Sequence, residues 1–264
     1  MLPLAGPNFP ASLEELSAAL RAGFSARGIA AREIRATGEW PRVAELAIDL
    51  SGAQFSRATE LPKSTSGSHP GVSIESLTIS AAPFFFEKTP AHLELHANQA
   101  ECGFARDASG ESFLTLTRTA AGSFSIEAQR ADLASALKIV AGGVLEKQGA
   151  QVKSAHLELL DRGPQSLGFR AEITAKAFVM TARVVVTGHL DLDDQLNLRI
   201  RELAVTGDGM IASIATGFLR PRFAEIEKRV IPLAAYSFAG VALHGVRLSG
   251  GNALRIEARF GGKI

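Results

Sequence analysis

The sequence predicts an α+β fold in which a long, strongly curved antiparallel sheet wraps around a long kinked helix, with two further amphipathic helices. Three observations predict it. The run Gly209–Ile231 is apolar on nearly every side in its first half, so it must be enclosed if it is helical. Long segments on both sides of it alternate apolar and polar residues, as half-buried strands do. The connections Asp161–Ser166, Asp191–Gln195 and Gly250–Asn252 are too short for parallel crossovers.

The first part of the chain is predicted to hold an arm, a helix and several strands. Residues 1–11 contain three prolines and are predicted to form an irregular N-terminal arm. Ser12 and Glu15 have the spacing of a capping box, and an apolar stripe follows them to about Arg27, so an amphipathic helix is expected there. Short alternating segments between Ile34 and Ile126 predict half-buried strands.

A second helix is predicted to begin at Asp132, whose carboxylate can accept hydrogen bonds from the first turn. Leu137 and Val140 lie on its apolar stripe. Gly142 and Gly143 weaken a helix by about 1 kcal/mol each relative to alanine, so close contact with another backbone is expected at these positions.

The clearest alternation starts at Leu167 and continues to Ile200, which predicts long strands with one apolar and one polar face. The alternation changes phase at Glu202–Leu203, which predicts a β-bulge. In the long helix that follows, Pro221 removes one helical hydrogen bond, so a kink is expected there. Two closing strands are predicted after that helix and before Gly261.

The composition excludes some function classes. Lys and Arg number 28 against 27 Asp and Glu, and the net charge of +1 with no basic block argues against nucleic-acid binding. The apolar run in Gly209–Ile231 is too short to span a membrane, and no secretory signal is visible at residues 1–7. The protein is therefore expected in the cytoplasm as the chain stands, or in the periplasm or cell envelope if a leader was removed.

No residue pattern indicates an enzyme or a metal site. His92 and His96 are expected on a strand, where a spacing of four residues places them about 13 Å apart, too far to share one ion. The acidic cluster around Asp193 and Asp194 is interpreted as turn chemistry. Cys102 is interpreted as a small apolar filler without a basic partner nearby in sequence. No cofactor is expected apart from a bound lipid.

Phe84, Phe85 and Phe86 form the most unusual local feature of the chain. Three consecutive bulky residues on a strand cannot all face one core. Two readings stay open: a strand that is packed on both sides, or an exposed apolar lip that contacts a membrane surface, with Lys88 nearby to meet lipid head groups.

Four stretches carry a resemblance to a known family: Asp132–Val144, Val184–Gly209, Phe218–Phe223 and Ile231–Gly261. Their order of helix, strand meander, long kinked helix and closing strands resembles the tubular lipid-binding (TULIP) superfamily, and within it the bacterial LmeA-like phospholipid-binding family. The similarity extends over about Ile34–Gly261. It implies a TULIP-like fold that holds lipid in an apolar groove between sheet and helix, without catalysis, in the bacterial cell envelope.

The residues support the same expectation independently. Small inner side chains such as Ala171 and Ala182 leave room between sheet and helix, and an apolar lining without polar tips suits acyl chains. The residues predicted to line the groove are Ile211, Ile214, Phe218, Phe223, Leu137, Val140, Phe178, Met180, Val184 and Val186.

The sequence therefore predicts a non-enzymatic protein that binds or transfers phospholipid or another acyl-chain lipid and contacts a membrane surface transiently. The predicted domain organisation is the arm 1–11 followed by a single domain 12–264, with an N-terminal part 12–130 and a C-terminal part 131–264. The alternative is an envelope scaffold or protein-interaction module with a solid core and no ligand.

Overall fold

The structure, a computed structural model, describes residues 1–6, 8–55, 69–107, 109–146, 149–177, 180–208, 217, 223–233, 241 and 243–262. The chain divides into two units. Unit 1 comprises Met1–Ile126, Tyr236–Gly245 and Glu257–Ile264. Unit 2 comprises Glu127–Ala235 and Val246–Ile256. The segment that forms most of unit 2 is thus inserted between two parts of unit 1.

Strands dominate both units. In chain order the elements are β1 (Leu2–Leu4), α1 (Leu13–Ala26), β2 (Glu33–Glu39), β3 (Arg42–Asp49), β4 (Gln54–Phe55), β5 (His69–Phe86), β6 (Thr89–Arg106), β7 (Ser112–Arg118), β8 (Ala121–Gln129), α2 (Arg130–Leu145), β9 (Gln151–Asp161), β10 (Ser166–Ala177), β11 (Met180–Leu192), β12 (Asn197–Asp208), α3 (223–228), β13 (Val230–Pro232), β14 (Leu243–Ser249) and β15 (Ala253–Phe260). Residues 2–4, expected to be irregular, form β1.

The predicted fold class is wrong. The chain is mostly β, with 62% strand and 18% helix, and has short helices and two large sheets in place of one curved sheet around a long kinked helix. Most of the predicted long helix, residues 209–216 and 218–222, lies outside the described residues. Its last part differs from the prediction, because Val230–Pro232 is a strand paired with Asn197–Arg199 of β12. Pro232 cannot donate a helical hydrogen bond and disfavours helical backbone at the residue before it.

The first sheet has the order β14-β15-β8-β6-β5-β3-β2, with β1 on β7, β7 on β6 and β4 on β5. The pairs β3–β5 and β4–β5 are parallel, so the predicted wholly antiparallel sheet is wrong for these strands. The chain between β3 and β5 runs from residue 50 to 68, which is long enough for the crossover that parallel pairing needs.

α1 forms as the sequence predicts. The Glu15 N–H donates to Ser12 Oγ at 3.1 Å, and Glu15 Oε2 accepts the Ala11 N–H at 2.8 Å. The first bond satisfies an N–H group that a first helical turn leaves without a partner, and the second ties the residue before the N-cap to the helix. Leu16 and Leu20 are fully buried in the core of unit 1. A capping signal and an apolar stripe therefore suffice to place this helix.

α2 differs from the prediction at both the cap and the apolar stripe. It begins at Arg130, one residue after a Gln129 N-cap that makes no side-chain capping bond, so Asp132 lies inside the first turn. Val140 is 62% exposed. A Cβ added at Gly142 or Gly143 would meet nothing within 4 Å, so the expected close backbone contact is absent at these two glycines.

The second sheet belongs to unit 2 and has the order β13-β12-β11-β10-β9. Its long strands pair antiparallel, as their short connections predict. The predicted bulge at Glu202–Leu203 is confirmed: Thr187 pairs with Ala204 while His189 pairs with Arg201, so two residues of β12 face one of β11.

Candidate functional site

One face of the second sheet is apolar across its long strands. The register pairs Ala171 with Val186 and Ile173 with Val184, and it pairs Val186 with Val205 of β12. Paired residues share a face, so these side chains form one continuous apolar surface. The opposite face carries polar side chains, among them Arg170, Glu172, Thr174 and Lys176.

Part of this apolar face is covered by α3. Val184, Val205 and Phe223 form a buried cluster, with exposed fractions of 4%, 9% and 9%. Leu203 and Ile226 pack against the cluster but keep part of their surface exposed. Phe223 of α3 is thus anchored in the sheet, while Leu203 and Ile226 beside it keep part of their surface accessible.

The bulge of β12 is fixed on both sides. The Leu203 N–H donates to Glu227 Oε1 of α3 at 2.7 Å. Glu202, which has a positive φ of 53°, places its carboxylate Oε2 at 3.2 Å from His189 Nδ1. A bulge redirects side chains relative to a regular strand. Here the two contacts hold the backbone where Leu203 turns towards α3.

A cleft of about 310 Å³ lies where α3 meets β12 in unit 2. Its lining residues are Leu203, Ala204, Val205, Phe223, Ala224 and Glu227. Five of the six lining residues have apolar side chains, yet about half of the lining surface is polar, and Glu227 contributes a carboxylate that the Leu203 N–H already engages. The arrangement suits an apolar segment of a ligand, and the lining contains no pair of acid and base groups.

The structure brings together three of the residues predicted to line the groove: Phe223, Val184 and Val186. It does not place Leu137 and Val140 in this cluster, because both lie on α2, where Val140 is exposed. Met180 begins β11, and its side chain is outside the described part of the structure. Ile211, Ile214, Phe218 and Phe178 lie outside the described residues.

The predicted lip lies in unit 1, at the end of β5. Phe84 is half-buried and contacts Phe55 edge-on, with ring centroids 5.6 Å apart. Phe85 pairs with Gln54 in the sheet, whereas Phe86 is 45% exposed at the turn to β6. The three residues therefore do not share one environment, as the strand geometry requires.

The histidines and the cysteine considered in the sequence, His92, His96 and Cys102, lie on the strand β6. His92 and His96 lie on strand β6 as predicted, and His96 Nδ1 is 3.3 Å from Thr78 Oγ1. Among the residues that the structure describes, no group of three or more histidine, cysteine, aspartate or glutamate side chains could hold a metal ion. Burial raises the pKa of the Cys102 thiol to about 12, which keeps it in its unreactive protonated form.

The turn between β11 and β12 confirms the interpretation of the acidic cluster. Asp193 Oδ1 accepts N–H groups from Gln195 at 3.0 Å and from Asn197 at 2.9 Å. The backbone hydrogen bond from Asn197 is the main cause that lowers the pKa of this carboxyl. Asp193 therefore closes a turn.

Sequence reasoning missed Leu203, Val205 and Glu227 as cleft residues. The register of β11 with β12 would have shown Val205 beside Val186, but the bulge shifts that register by one residue. Glu227 carries no sequence signal for its role, because its partner is a backbone N–H group of a distant residue.

A scan against protein-family models and searches of curated proteins and of solved structures found no match to this chain. In the described part of the chain, no helix combines the length and the apolar character that crossing a bilayer requires.

Proposed function

We propose that this protein binds an acyl-chain lipid, such as a phospholipid, in the cleft between α3 and β12, without catalysing a reaction on it. The observation that carries the proposal is the partial exposure of three apolar side chains around α3, namely Val186, Leu203 and Ile226. The three residues lie beside a cleft to which Leu203, Val205 and Phe223 contribute apolar side chains.

The apolar side chains of the cleft would stabilise an acyl chain. Each methylene group that leaves water for an apolar surface contributes about 0.8 kcal/mol. The cleft volume of about 310 Å³ lies at the lower end of the range typical of ligand pockets, roughly 300–1,000 Å³. It would hold a segment of an acyl chain.

Exposed apolar side chains elsewhere in unit 2 support transient contact with a lipid surface. Ile139 and Val140 on α2 are 61% and 62% exposed, and Leu160 on β9 is 51% exposed. Ile139 and Val140 are adjacent in sequence, and neighbouring exposed apolar side chains can mark a site of protein or membrane contact. A lipid-carrying protein needs such contact when it takes up its ligand.

The proposal is tested by filling the cleft. Ala224 is exposed and lines the cleft, so Ala224→Trp adds a large apolar side chain there. The matched control is Ala18→Trp, at an exposed position of α1 in unit 1. Uptake of a phosphatidylcholine with a fluorescent acyl chain is measured from phosphatidylcholine vesicles for the unaltered protein and both variants.

We expect Ala224→Trp to weaken uptake about tenfold, since displacing two methylene groups removes roughly 1.6 kcal/mol of binding free energy. Ala18→Trp should bind as the unaltered protein does. Equal uptake by both variants would contradict the proposed site. No uptake by the unaltered protein, together with no lipid in an organic extract of it, would contradict lipid binding itself.

A scaffold role is the second candidate, and the core of unit 1 favours it. Leu16, Leu46 and Ile74 are fully buried in one large cluster with α1 against the sheet. A cavity of about 20 Å³ inside this unit, lined by Leu77, Leu95 and other apolar groups, has room for about one water molecule. Unit 1 thus has a filled core, and the lipid proposal concerns unit 2 alone.

A further inference from the structure

Strands β3, β5 and β6 are neighbours in unit 1, and each departs from regular alternation at positions that pair with one another across the sheet. Regular strands bury every second residue, yet here buried residues fall three apart: Val43 and Leu46 on β3, Ile74 and Leu77 on β5, and Ala97 and Ala100 on β6. The register pairs these positions with one another across the sheet. Each strand therefore turns two consecutive residues away from the core at this level. On β6 the second of them is Gln99, whose φ is 51°.

A cleft of about 630 Å³ opens beside these paired positions, with polar and apolar surface in similar amounts. Its lining residues are Ser73, Glu75, Gln99, Glu101, Arg118, Thr119, Ala120 and Gly262. Its volume is in the middle of the range typical of small-molecule sites, roughly 300–1,000 Å³. The irregular strands thus direct side chains of β5 and β6 into one cleft.

Two hydrogen bonds involve polar groups of the cleft. Arg118 Nη2 donates to Glu101 Oε1 at 2.6 Å, and Glu101 is the register partner of Ser73. The Thr119 hydroxyl donates to the Asn98 carbonyl at 2.7 Å, which fixes the chain beside Gln99.

Glu75 has no ion-pair or hydrogen-bond partner for its carboxylate within the described ranges. The cleft therefore presents a free acceptor beside an amide, a hydroxyl and a paired guanidinium. The carboxylate can accept, and the amide and the hydroxyl can both donate and accept, so the cleft fits a ligand that does both as well.

We propose that this cleft binds a neutral sugar through its adjacent hydroxyl groups. Two carboxylates against one guanidinium disfavour a phosphate or another anion. The absence of large apolar side chains from the lining residues disfavours an acyl chain. A sugar hydroxyl donates to Glu75 and accepts from Arg118, and Gln99 and Ser73 do both. This proposal is independent of the lipid site in unit 2.

The test uses a glycine substitution that separates binding from stability. Gln99→Gly removes the side chain, and glycine adopts a positive φ without the steric cost that glutamine has there. Its matched control is Glu87→Gly, at a second positive φ of 58° in the turn between β5 and β6, outside the cleft. Glu75→Gln serves as a second cleft variant, which removes the free carboxylate and keeps its size.

Binding of glucose, galactose and N-acetylglucosamine is followed by shifts of backbone amide resonances. Spermidine is measured in the same way to test whether the carboxylates bind an ammonium group in place of a sugar. We expect a saturable shift at the cleft with at least one sugar at millimolar concentrations. Binding should be about fivefold weaker in Gln99→Gly, the loss of one hydrogen bond. It should also be weaker in Glu75→Gln, because a neutral amide oxygen accepts a hydrogen bond less strongly than a carboxylate does. Glu87→Gly should bind as the unaltered protein does.

Three results would overturn the proposal: no saturable shift with any of the three sugars, equal sugar affinity in Gln99→Gly and the unaltered protein, or a saturable shift with spermidine alone. Lipid uptake should be the same in Gln99→Gly and the unaltered protein, so the two sites are tested separately.

Discussion

Replacement of glycine by alanine should have opposite effects in α1 and α2. An alanine in a helix interior is normally more stable than glycine by about 1 kcal/mol. At Gly23 of α1, however, a Cβ would lie 2.4 Å from the Pro3 carbonyl oxygen and 2.8 Å from the Leu4 nitrogen. At Gly142 of α2 it would meet nothing within 4 Å.

The size of the destabilisation at Gly23 follows from the groups that an added Cβ would displace. Both nearest groups are backbone atoms of β1, which cannot rotate away as a side chain can. Displacing β1 disturbs the hydrogen bond from the Ala5 N–H to the Ala19 carbonyl, 2.9 Å long, and the pairing of Leu2 with Leu114. Overpacking costs about 1–3 kcal/mol and each hydrogen bond about 1 kcal/mol. After the gain in helix propensity, Gly23→Ala should destabilise unit 1 by about 2 kcal/mol, whereas Gly142→Ala should stabilise α2 by about 1 kcal/mol.

Each unit needs its own assay. Trp40 is the one tryptophan of the chain and lies in unit 1, so its fluorescence during urea unfolding reports the effect of Gly23→Ala. Protection of the α2 amides from hydrogen exchange reports the effect of Gly142→Ala. A chain without residues 1–6 is the control, since alanine at position 23 should be stabilising there. If Gly23→Ala raises the urea midpoint of the full chain, the close approach of β1 to α1 is refuted.

Two further predictions concern ionisable groups. Cys102 is 6% exposed with a pKa of about 12, so a thiol reagent at pH 8 should leave it unmodified in the folded protein and modify it in urea; rapid modification without urea would argue against its burial. Hydrogen bonds lower the pKa of two aspartates. The main cause at Asp107 is the hydrogen bond from the Ser109 side chain, and at Asp193 it is the one from the Asn197 backbone. Their contribution to stability is present above the ordinary aspartate pKa of about 3.9 and is lost as the pH falls through the lowered folded value. Urea midpoints should fall in that range, less steeply in Asp193→Ala, and parallel profiles would refute the role of this carboxyl.

Local signals predicted the local structure well. The Ser12 cap and the following stripe define α1, and the phase change at Glu202–Leu203 identifies the bulge, because both features depend on residues close in sequence. The polar turn at Asp193 is a third example, since its hydrogen bonds reach at most four residues along the chain.

Features that depend on distant residues were missed. Val230–Pro232 is a strand because β12 offers a partner, and the parallel pair β3–β5 depends on a crossover that alternation does not reveal. Val140 lies on an apolar stripe, yet a stripe does not say whether another element covers it. For the site, Phe223 and Val184 were predicted together, whereas Glu227 acts through a main-chain partner and leaves no pattern.

The insertion of unit 2 into unit 1 has a consequence for protein synthesis. Phe260 is 1% exposed in the core of unit 1, where a Cβ on Gly122 would overlap its ring, and Val241 belongs to the same core. Residues 1–126 leave the ribosome well before either of these side chains exists. The core of unit 1 therefore stays incompletely filled until the inserted segment has been translated. The last strand, β15, then completes this core.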